Sequence, residues 1–565
     1  MLASLRALSN ITEIISLVSG SHALNAGTLA DCIFSRPHII SLYMILSQSS
    51  PASIIQSQIS LSTSLISKLC REERHQSSLA NAGVLDALAT RLASVVVLQG
   101  LVIPGAELLA QKEGILDYFP SPAPHNRDLA GILEAIAVII SDSKLRASQL
   151  VYSNALIAVF PISLSDFQQN LSTKAAWSAL DTGDMSSRQS RLSAVDFLIP
   201  QVLNQTKSAS ALVSAFPPLG TSGSFEHIVE LGGSKTPTWS NPPSIQAGIS
   251  FPDNSVNDHN EPESPLIAYL IWLTRSSRDV ERLMAAWVLT ILHGVGLTDK
   301  SREAALGLLI VPILVQLLNE EGLRYRDDAH GMITKEWIIK EHTPIVLATL
   351  IVDSELLQKS AYDAGIVTKL SKMIKSAYDP VQDTPQSRVW SPNTNSSLDH
   401  GTSYTSPSSH LNQVDQSPLL AHKIKVRECT LRAIAALVPF KDEYRKALIE
   451  QGVIPYIVES LKTYPEKPQS RVSEKSGKAS QLMDENDARS SGHGKNPISV
   501  LIAACGAVRA LSRSVSTLRT TLIDSGVAIP IITLLQHSDI DVQISATAAV
   551  CNLVLEFSPM REVIM

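Results

Sequence analysis

Arginines recur beside alanine-rich helical phrases in the last third of this 565-residue sequence. Arg432 precedes Ala-Ile-Ala-Ala-Leu, and Arg509 precedes Ala-Leu-Ser and then Arg513. Residues four apart lie one above the other on a helix, so Arg509 and Arg513 should share one face. Guanidinium groups bind carboxylates through paired, charge-assisted hydrogen bonds. The spacing therefore predicts a surface that binds acidic groups.

Sequence motifs for catalysis are missing. The chain has no GxxxxGK(S/T) phosphate-binding loop and no HExxH, GxSxG or GxGxxG motif. The five cysteines include no CxxC pair, and the 14 histidines show no paired ligand spacing. We therefore predict that the protein is not an enzyme and binds no cofactor or metal.

The composition favours protein partners over other ligands. A net charge of −6 is small for this length, so the protein has no strong positive electrostatic field that would attract nucleic acid or acidic lipid. The longest apolar run, 304–318, is too short to cross a membrane and contains Pro312. Most cysteines lie in apolar helical stretches, which favours a reducing compartment. We expect a cytoplasmic and nuclear protein without nucleic-acid, membrane or small-molecule partners.

One phrase recurs along the chain: a small or polar residue, a glycine, and aliphatic residues that begin an apolar helix. Glycine tolerates positive φ just after a helix, so the phrase predicts a helix end followed by a helix start. Alanine-rich helices accompany it, and alanine lets neighbouring helices approach closely. The glycines of the four clear copies are Gly83, Gly365, Gly452 and Gly526, and a degenerate copy contains Gly114.

The spacing of this phrase predicts the fold. Gly365 and Gly452 are 87 residues apart, and Gly452 and Gly526 are 74 apart. Between them lie stretches of 43 and 33 residues that are rich in Ser, Pro, Lys and Gly and should not pack; without these, the intervals are 44 and 41. Armadillo and HEAT units repeat every ~40–47 residues. The Gly-Val-Ile-Pro and Ala-Leu-Ser phrases favour armadillo, so we predict an all-α, right-handed superhelical armadillo solenoid with disordered inserts.

The same features divide the chain into repeats and inserts. Solenoids tolerate inserts because each unit contacts only its neighbours. We predict N-terminal armadillo-like repeats over 1–216, a low-complexity linker over 217–263, central repeats over 264–377, a disordered Ser/Pro-rich insert over 378–420, a repeat over 421–463, a disordered insert over 464–496, and C-terminal repeats over 497–565.

In an armadillo solenoid the third helix of each unit lines a concave groove. Family members place Trp and, four residues later, Asn on that face, as nuclear-import adaptors do to hold basic peptides. Here the aligned positions hold the pairs Arg6 and Asn10, Trp177 and Asp181, Trp287 and Ile291, Arg432 and Ala436, Arg509 and Arg513, and Ala548 and Asn552. A basic peptide would meet like charge, which argues against an import adaptor.

We predict instead that a groove including Trp287, Arg432, Arg509, Arg513 and Asn552 binds an acidic or C-terminal carboxylate-bearing segment of a partner. The alternative is that these arginines lie on a solvated face and form local salt bridges.

The final stretch is more specific than the repeat. Cys551-Asn552-Leu-Val-Leu-Glu-Phe-Ser-Pro559 resembles the armadillo-repeat subunits of GID/CTLH ubiquitin ligases, the vacuolar-import-and-degradation family. The resemblance implies a non-catalytic scaffold that docks on the LisH–CTLH core and holds a substrate receptor over the RING module. A generic armadillo adaptor unrelated to ubiquitin is the alternative.

Two further expectations concern the chain's length and its inserts. The sequence ends shortly after a third-helix phrase, so we expect a truncated array that keeps core docking and lacks much of the receptor site. The dipeptides Thr384-Pro, Ser391-Pro, Ser406-Pro and Ser417-Pro are candidates for proline-directed phosphorylation, or occur by chance in Ser/Pro-rich linkers.

Overall fold

The computed structural model describes residues 1–17, 25–161, 263–299, 302–319, 335–381, 417–466, 468, 493–513 and 516–554. In these ranges the regular elements are all helices. The N-terminal α-helices are α1 (Leu2–Leu17), α2 (Ala26–Ile33), α3 (Arg36–Leu46), α4 (Ser53–Leu69), α5 (Glu73–Asn81), α6 (Val84–Gln99), α7 (Ala106–Lys112), α8 (Leu129–Ile140), α9 (Lys144–Val151) and α10 (Asn154–Val159), with a short 3₁₀ helix at Leu116–Tyr118. The later ones are α11 (Pro265–Ser276), α12 (Asp279–Gly294), α13 (Arg302–Leu309), α14 (Val311–Leu317), α15 (Lys335–Ile351), α16 (Glu355–Asp363), α17 (Ile366–Ser376), α18 (Pro418–Leu437), α19 (Asp442–Glu450), α20 (Ile454–Ser460), α21 (Ile498–Leu511), α22 (Ser516–Asp524), α23 (Ala528–Leu534) and α24 (Ile540–Leu553).

The recurring glycine phrase forms the junction that it predicts. Gly83, Gly365, Gly452 and Gly526 have φ angles of 82°, 80°, 67° and 89°. In the unit around Gly365, α16 ends two residues before the glycine and α17 begins directly after it. At positive φ the Cβ of any other residue crowds the backbone and destabilises the turn, whereas glycine has no Cβ. The phrase therefore marks the turn from the first to the second helix of a unit.

Each clear unit has a short first helix, a second helix and a long third helix. The last three units are α16–α18, α19–α21 and α22–α24. The third helices pack side by side in one row, in the order α1, α4, α8, α12, α15, α18, α21 and α24. The packing is close where side chains are small: a Cβ on Gly506 of α21 would lie 3.9 Å from the Cβ of Ala435 on α18. The predicted all-α armadillo architecture is confirmed.

Three of the long stretches outside the described ranges occupy the same position in the unit. Residues 320–334 follow the second helix α14, residues 382–416 follow α17, and residues 469–492 follow α20. In each case a third helix comes next. These three stretches therefore each separate the second helix of a unit from its third helix in the sequence, whereas residues 162–262 lie between α10 and α11.

The described residues extend into the predicted inserts at their edges. Tyr378, at the start of the first predicted insert, is fully buried, and α18 begins at Pro418, before that insert's predicted end. Ser417 caps α18, because its side chain accepts a hydrogen bond from the main-chain N–H of Leu420. The predicted linker 217–263, apart from Glu263, and the other Ser/Thr-Pro dipeptides lie outside the described residues.

A buried arginine forms hydrogen bonds to the helix ends next to residues 382–416 and 469–492. Arg427 of α18 is fully buried, and its Nε and Nη2 donate to the carbonyl oxygen of Ala377 at 3.1 and 3.0 Å. Its Nη1 donates to Oδ1 of Asn496 at 3.2 Å, and its guanidinium lies 4.2 Å from the centre of the Tyr378 ring. The Tyr378 hydroxyl is 2.6 Å from Oγ of Ser460. These five residues, the Arg427 latch, join the end of α17, the end of α20 and the start of α21.

Buried polar side chains on first helices cap the third helices that precede them. Arg146 of α9 donates to the carbonyl oxygens of Ile139 and Ser141, both at 2.7 Å. Gln358 of α16 donates to the carbonyl oxygen of Ile351 at 3.2 Å. The last carbonyls of a helix have no partner within the helix. These side chains therefore stabilise the turns that follow α8 and α15.

No single helix in the described ranges is both long and apolar enough to cross a membrane. Two bent pairs, α2 with α3 and α5 with α6, meet the requirement by length and composition, with bends of 72° and 69°.

Candidate functional site

The candidate groove residues Arg432, Arg509, Arg513 and Asn552 lie on or next to neighbouring third helices. Arg432 is on α18, Arg509 is on α21 and Asn552 is on α24, whereas Arg513 lies two residues beyond the end of α21 and not on the helix itself. The three arginines are exposed and Asn552 is half-buried. We call the solvent-facing side of α18, α21 and α24 the third-helix face.

Arg432 is part of a local ion-pair cluster on this face. Its Nη2 lies 2.8 Å from Oε1 of Glu428, one helical turn earlier. Oε2 of Glu428 accepts hydrogen bonds from Lys425 and from Ser499 of α21, both at 3.0 Å. Burial opposes ionisation of Glu428, but Lys425 and Arg432 outweigh it and hold the pKa of the carboxyl below its ordinary value. The guanidinium of Arg432 is thus partly neutralised, as the local salt-bridge alternative describes.

Arg509 and Arg513 differ from Arg432 because their charges are uncompensated. Within the described part of the chain, neither side chain makes an ion pair or a hydrogen bond. Nδ2 of Asn552 donates to the main-chain carbonyl oxygen of Arg509 at 3.0 Å, which brings α24 against the end of α21. The side-chain oxygen of Asn552 accepts no hydrogen bond from the described residues. The structure thus brings Arg509 and Asn552 together and leaves two guanidinium groups available.

Apolar side chains precede these polar groups on both helices. On α21, Ile498 and Ile502 lie on the same helical side as Arg509, and Ile498 is 44% exposed. On α24, Ile544 lies two turns before Asn552 and is 61% exposed. The third-helix face therefore presents an apolar half followed by a basic half, which fits a segment whose apolar residues are adjacent to acidic ones.

Trp287 lies apart from this cluster. It is on α12, and two third helices, α15 and α18, separate α12 from α21 in the row. The half-buried ring packs against His342 of α15, with ring centres 5.2 Å apart. Ile291 and Ala436, the residues aligned with the family's Asn position, are buried. Residues 177 and 181 lie outside the described residues.

A second aromatic cluster was not predicted from the sequence. The rings of Trp337 on α15 and His422 on α18 stack with centres 4.5 Å apart. Nδ1 of His422 lies 2.7 Å from Oε1 of Glu341. Trp337 and Glu341 lie one turn apart on α15, and the packing of α15 against α18 adds His422 to them. The cluster connects the third-helix face to the preceding unit.

Comparison with known sequences identifies relatives, although no family model matches the chain. It is 29% identical over 296 residues to GID complex subunit 5 of Schizosaccharomyces pombe, a match that covers 52% of this chain and 30% of that protein. It is 25% identical over 293 residues to armadillo repeat-containing protein 8 of Xenopus laevis, covering 50% of this chain and 36% of that protein. A match of 75 residues to the Danio rerio protein of the same name is 43% identical, and covers 13% of this chain and 11% of that protein. The chain thus matches about a third or less of each relative's length.

Solved structures with similar helices include a designed armadillo repeat protein, with 15% identity and a TM-score of 0.30 over 51% of this chain and 82% of that one. An engineered protein from a structural genomics consortium covers 97% of this chain and 94% of its own, with 14% identity and a TM-score of 0.33. Scores this low carry no weight beside the sequence relatives and the three-helix units. The chain thus folds as an armadillo-type array of three-helix units and is similar over about half its length to GID complex subunit 5 and armadillo repeat-containing protein 8.

Proposed function

We propose that this protein is a non-catalytic scaffold subunit of a GID/CTLH-type ubiquitin ligase. The observation that carries the proposal is the 296-residue similarity to GID complex subunit 5. In this role the chain binds the LisH–CTLH core and a substrate receptor, and it positions the receptor for ubiquitin transfer by other subunits. The assembly would act in protein degradation in the cytoplasm and nucleus.

The row of third helices suits a positioning role. Successive third helices pack directly against each other from α1 to α24, so the row offers a long surface to more than one partner. The uncompensated arginines and the exposed isoleucines give its C-terminal end a recognition surface of its own. We assign this end to an acidic partner segment and leave the rest of the row to other subunits.

Affinity purification tests the proposal. The full chain, tagged and expressed in cells that contain a GID/CTLH assembly, should recover LisH–CTLH and RING-containing subunits, identified by mass spectrometry. A tagged designed armadillo protein of similar size is the control for binding to the fold alone. Recovery of other proteins without any ligase subunit would contradict the proposal and favour a generic armadillo adaptor.

The adaptor remains the second candidate because the matches cover only about a third of each relative. Armadillo units serve many complexes, and the fold by itself does not select a partner. Fluorescence imaging of the tagged chain in the same cells adds an independent readout, since the proposal expects it in both cytoplasm and nucleus.

A further inference from the structure

A cleft of about 870 Å³ opens in the N-terminal part of the chain, far from the third-helix face in sequence. It lies between the C-terminal end of α3, the helix α6, and the chain that leads from the 3₁₀ helix to α8. Its volume is within the ~300–1,000 Å³ of ordinary ligand sites. None of the candidate groove residues contributes to it.

One wall of the cleft is an extended proline-rich stretch of the chain itself. Residues 119–124 read Phe-Pro-Ser-Pro-Ala-Pro, and the last four line the cleft. The main-chain N–H of Ala123 donates to the carbonyl oxygen of Ser94 on α6 at 3.0 Å. Prolines at alternate positions favour an extended conformation without internal hydrogen bonds. The stretch therefore covers α6 beside Ser94 and gives the cleft a wall of proline rings.

The charges in the cleft are balanced. Arg91 donates to the main-chain carbonyls of Leu46, the last residue of α3, and of Gln48 in the following loop. Asp128 accepts the hydroxyl of Ser60 at 2.6 Å and caps the N-terminus of α8. The other two charged lining residues, Arg127 and Asp86, have opposite signs, and the buried Nε of Arg127 has no hydrogen-bond acceptor among the described residues. The site consequently favours an uncharged occupant.

Hydrogen-bond donors around the cleft lack partners. Tyr43 and Tyr118 are 37% and 52% exposed, and the side chains of Tyr43, Tyr118, Gln149 and Asn154 make no hydrogen bond to any described residue. An extended proline-rich peptide presents carbonyl oxygens that need donors and few N–H groups that need acceptors. Its flat rings also pack well on tyrosine faces. An amphipathic helix satisfies its own carbonyls and would leave these donors unpaired.

We propose that this cleft binds an uncharged, extended, proline-rich segment of a partner protein. The tyrosines Tyr43 and Tyr118 contact its rings, and the side-chain donors bind its carbonyl oxygens. The site is separate from the third-helix face, so the proposal stands or falls independently of the ligase role.

Fluorescence anisotropy with the whole chain tests the site. The probes are fluorescein-labelled peptides of five Ala-Pro repeats, five Ala-Gly repeats, and an uncharged amphipathic helical sequence. We expect saturable binding of the Ala-Pro peptide, with at least tenfold weaker binding of the other two. Absence of binding, or equal binding of the Ala-Gly peptide, would overturn the proposal; stronger binding of the helical peptide would assign the cleft to a helix instead.

Substitutions then locate the binding. Tyr118→Ala should weaken the Ala-Pro peptide at least fivefold, because it removes an exposed ring from the 3₁₀ helix. Tyr43→Phe should weaken it about twofold, because it removes only the hydroxyl and keeps the ring in its place beside Gly83. Tyr464→Ala, at a tyrosine that is 42% exposed outside the cleft, is the matched control and should leave the affinity unchanged. Circular dichroism confirms that each variant is folded, and an unchanged affinity in Tyr118→Ala rules the site out.

Discussion

Replacing Arg427 by Met should lower the stability of the unit around α18 by about 2–4 kcal/mol. The substitution fills a similar volume but removes the donors to Ala377 and Asn496. Their oxygens are then buried without partners, and each unsatisfied group costs ~1–3 kcal/mol. The cation–π contact with Tyr378 is lost as well.

Urea unfolding followed by circular dichroism measures the total effect, and hydrogen exchange locates it. Exchange should accelerate in α17, α20 and α21, whose ends the latch joins, while α4 and α8 stay protected. Arg432→Met is the matched control, since Arg432 lies on the same helix but is exposed and makes one pair with Glu428. It should change stability by ~0.5 kcal/mol or less. Equal effects of the two substitutions would show that the latch does not stabilise the unit.

The second large effect is expected for charge reversal on the third-helix face. Arg509→Glu combined with Arg513→Glu should reduce recovery of the acidic partner at least tenfold, equivalent to ~1.4 kcal/mol or more. Both guanidinium groups are exposed and uncompensated among the described residues, so the change replaces attraction by repulsion without breaking an internal contact. Raising the salt concentration should weaken the native interaction in the same direction.

Quantitative mass spectrometry of the purified complexes measures this loss. The combination of Arg36→Glu and Arg71→Glu changes the net charge equally at two exposed arginines in the N-terminal part, and it should leave recovery unchanged. If every co-purifying protein is retained by the Arg509 and Arg513 variant, the predicted groove is wrong. If both pairs of substitutions reduce recovery equally, a general charge effect explains the loss.

The repeat could be predicted from the sequence because its signals are local. A glycine between two apolar helices predicts a helix end with positive φ at that residue. Gly365 and Gly452 both have the positive φ that the phrase requires. The repeat length of 44 and 41 residues follows when the two low-complexity stretches are left out of the spacing between the glycines. Local salt bridges were the alternative for the arginines, and Glu428 pairs with Arg432 because residues four apart on a helix are neighbours.

The Arg427 latch could not be predicted in this way. Arg427 lies in a stretch with Lys423, Lys425 and Glu428 that has the pattern of a solvated helix face. Its burial depends on Ala377 and Asn496, which are 50 and 69 residues away in sequence. The cleft likewise depends on segments between residues 43 and 155 that meet only after folding. Local patterns specify helices and turns, whereas these sites require the packed row.

The Arg427 latch also holds together two parts of the chain that are far apart in the sequence. Ala377 and Arg427 belong to polypeptide stretches on either side of residues 382–416, yet they are joined through space by two hydrogen bonds. A polypeptide ending near residue 381 and another starting near residue 417 would therefore carry complementary surfaces, including a carbonyl on one and its guanidinium donor on the other. This junction is the natural place to divide the protein into two fragments that reassemble, as a split reporter of whether the row has formed.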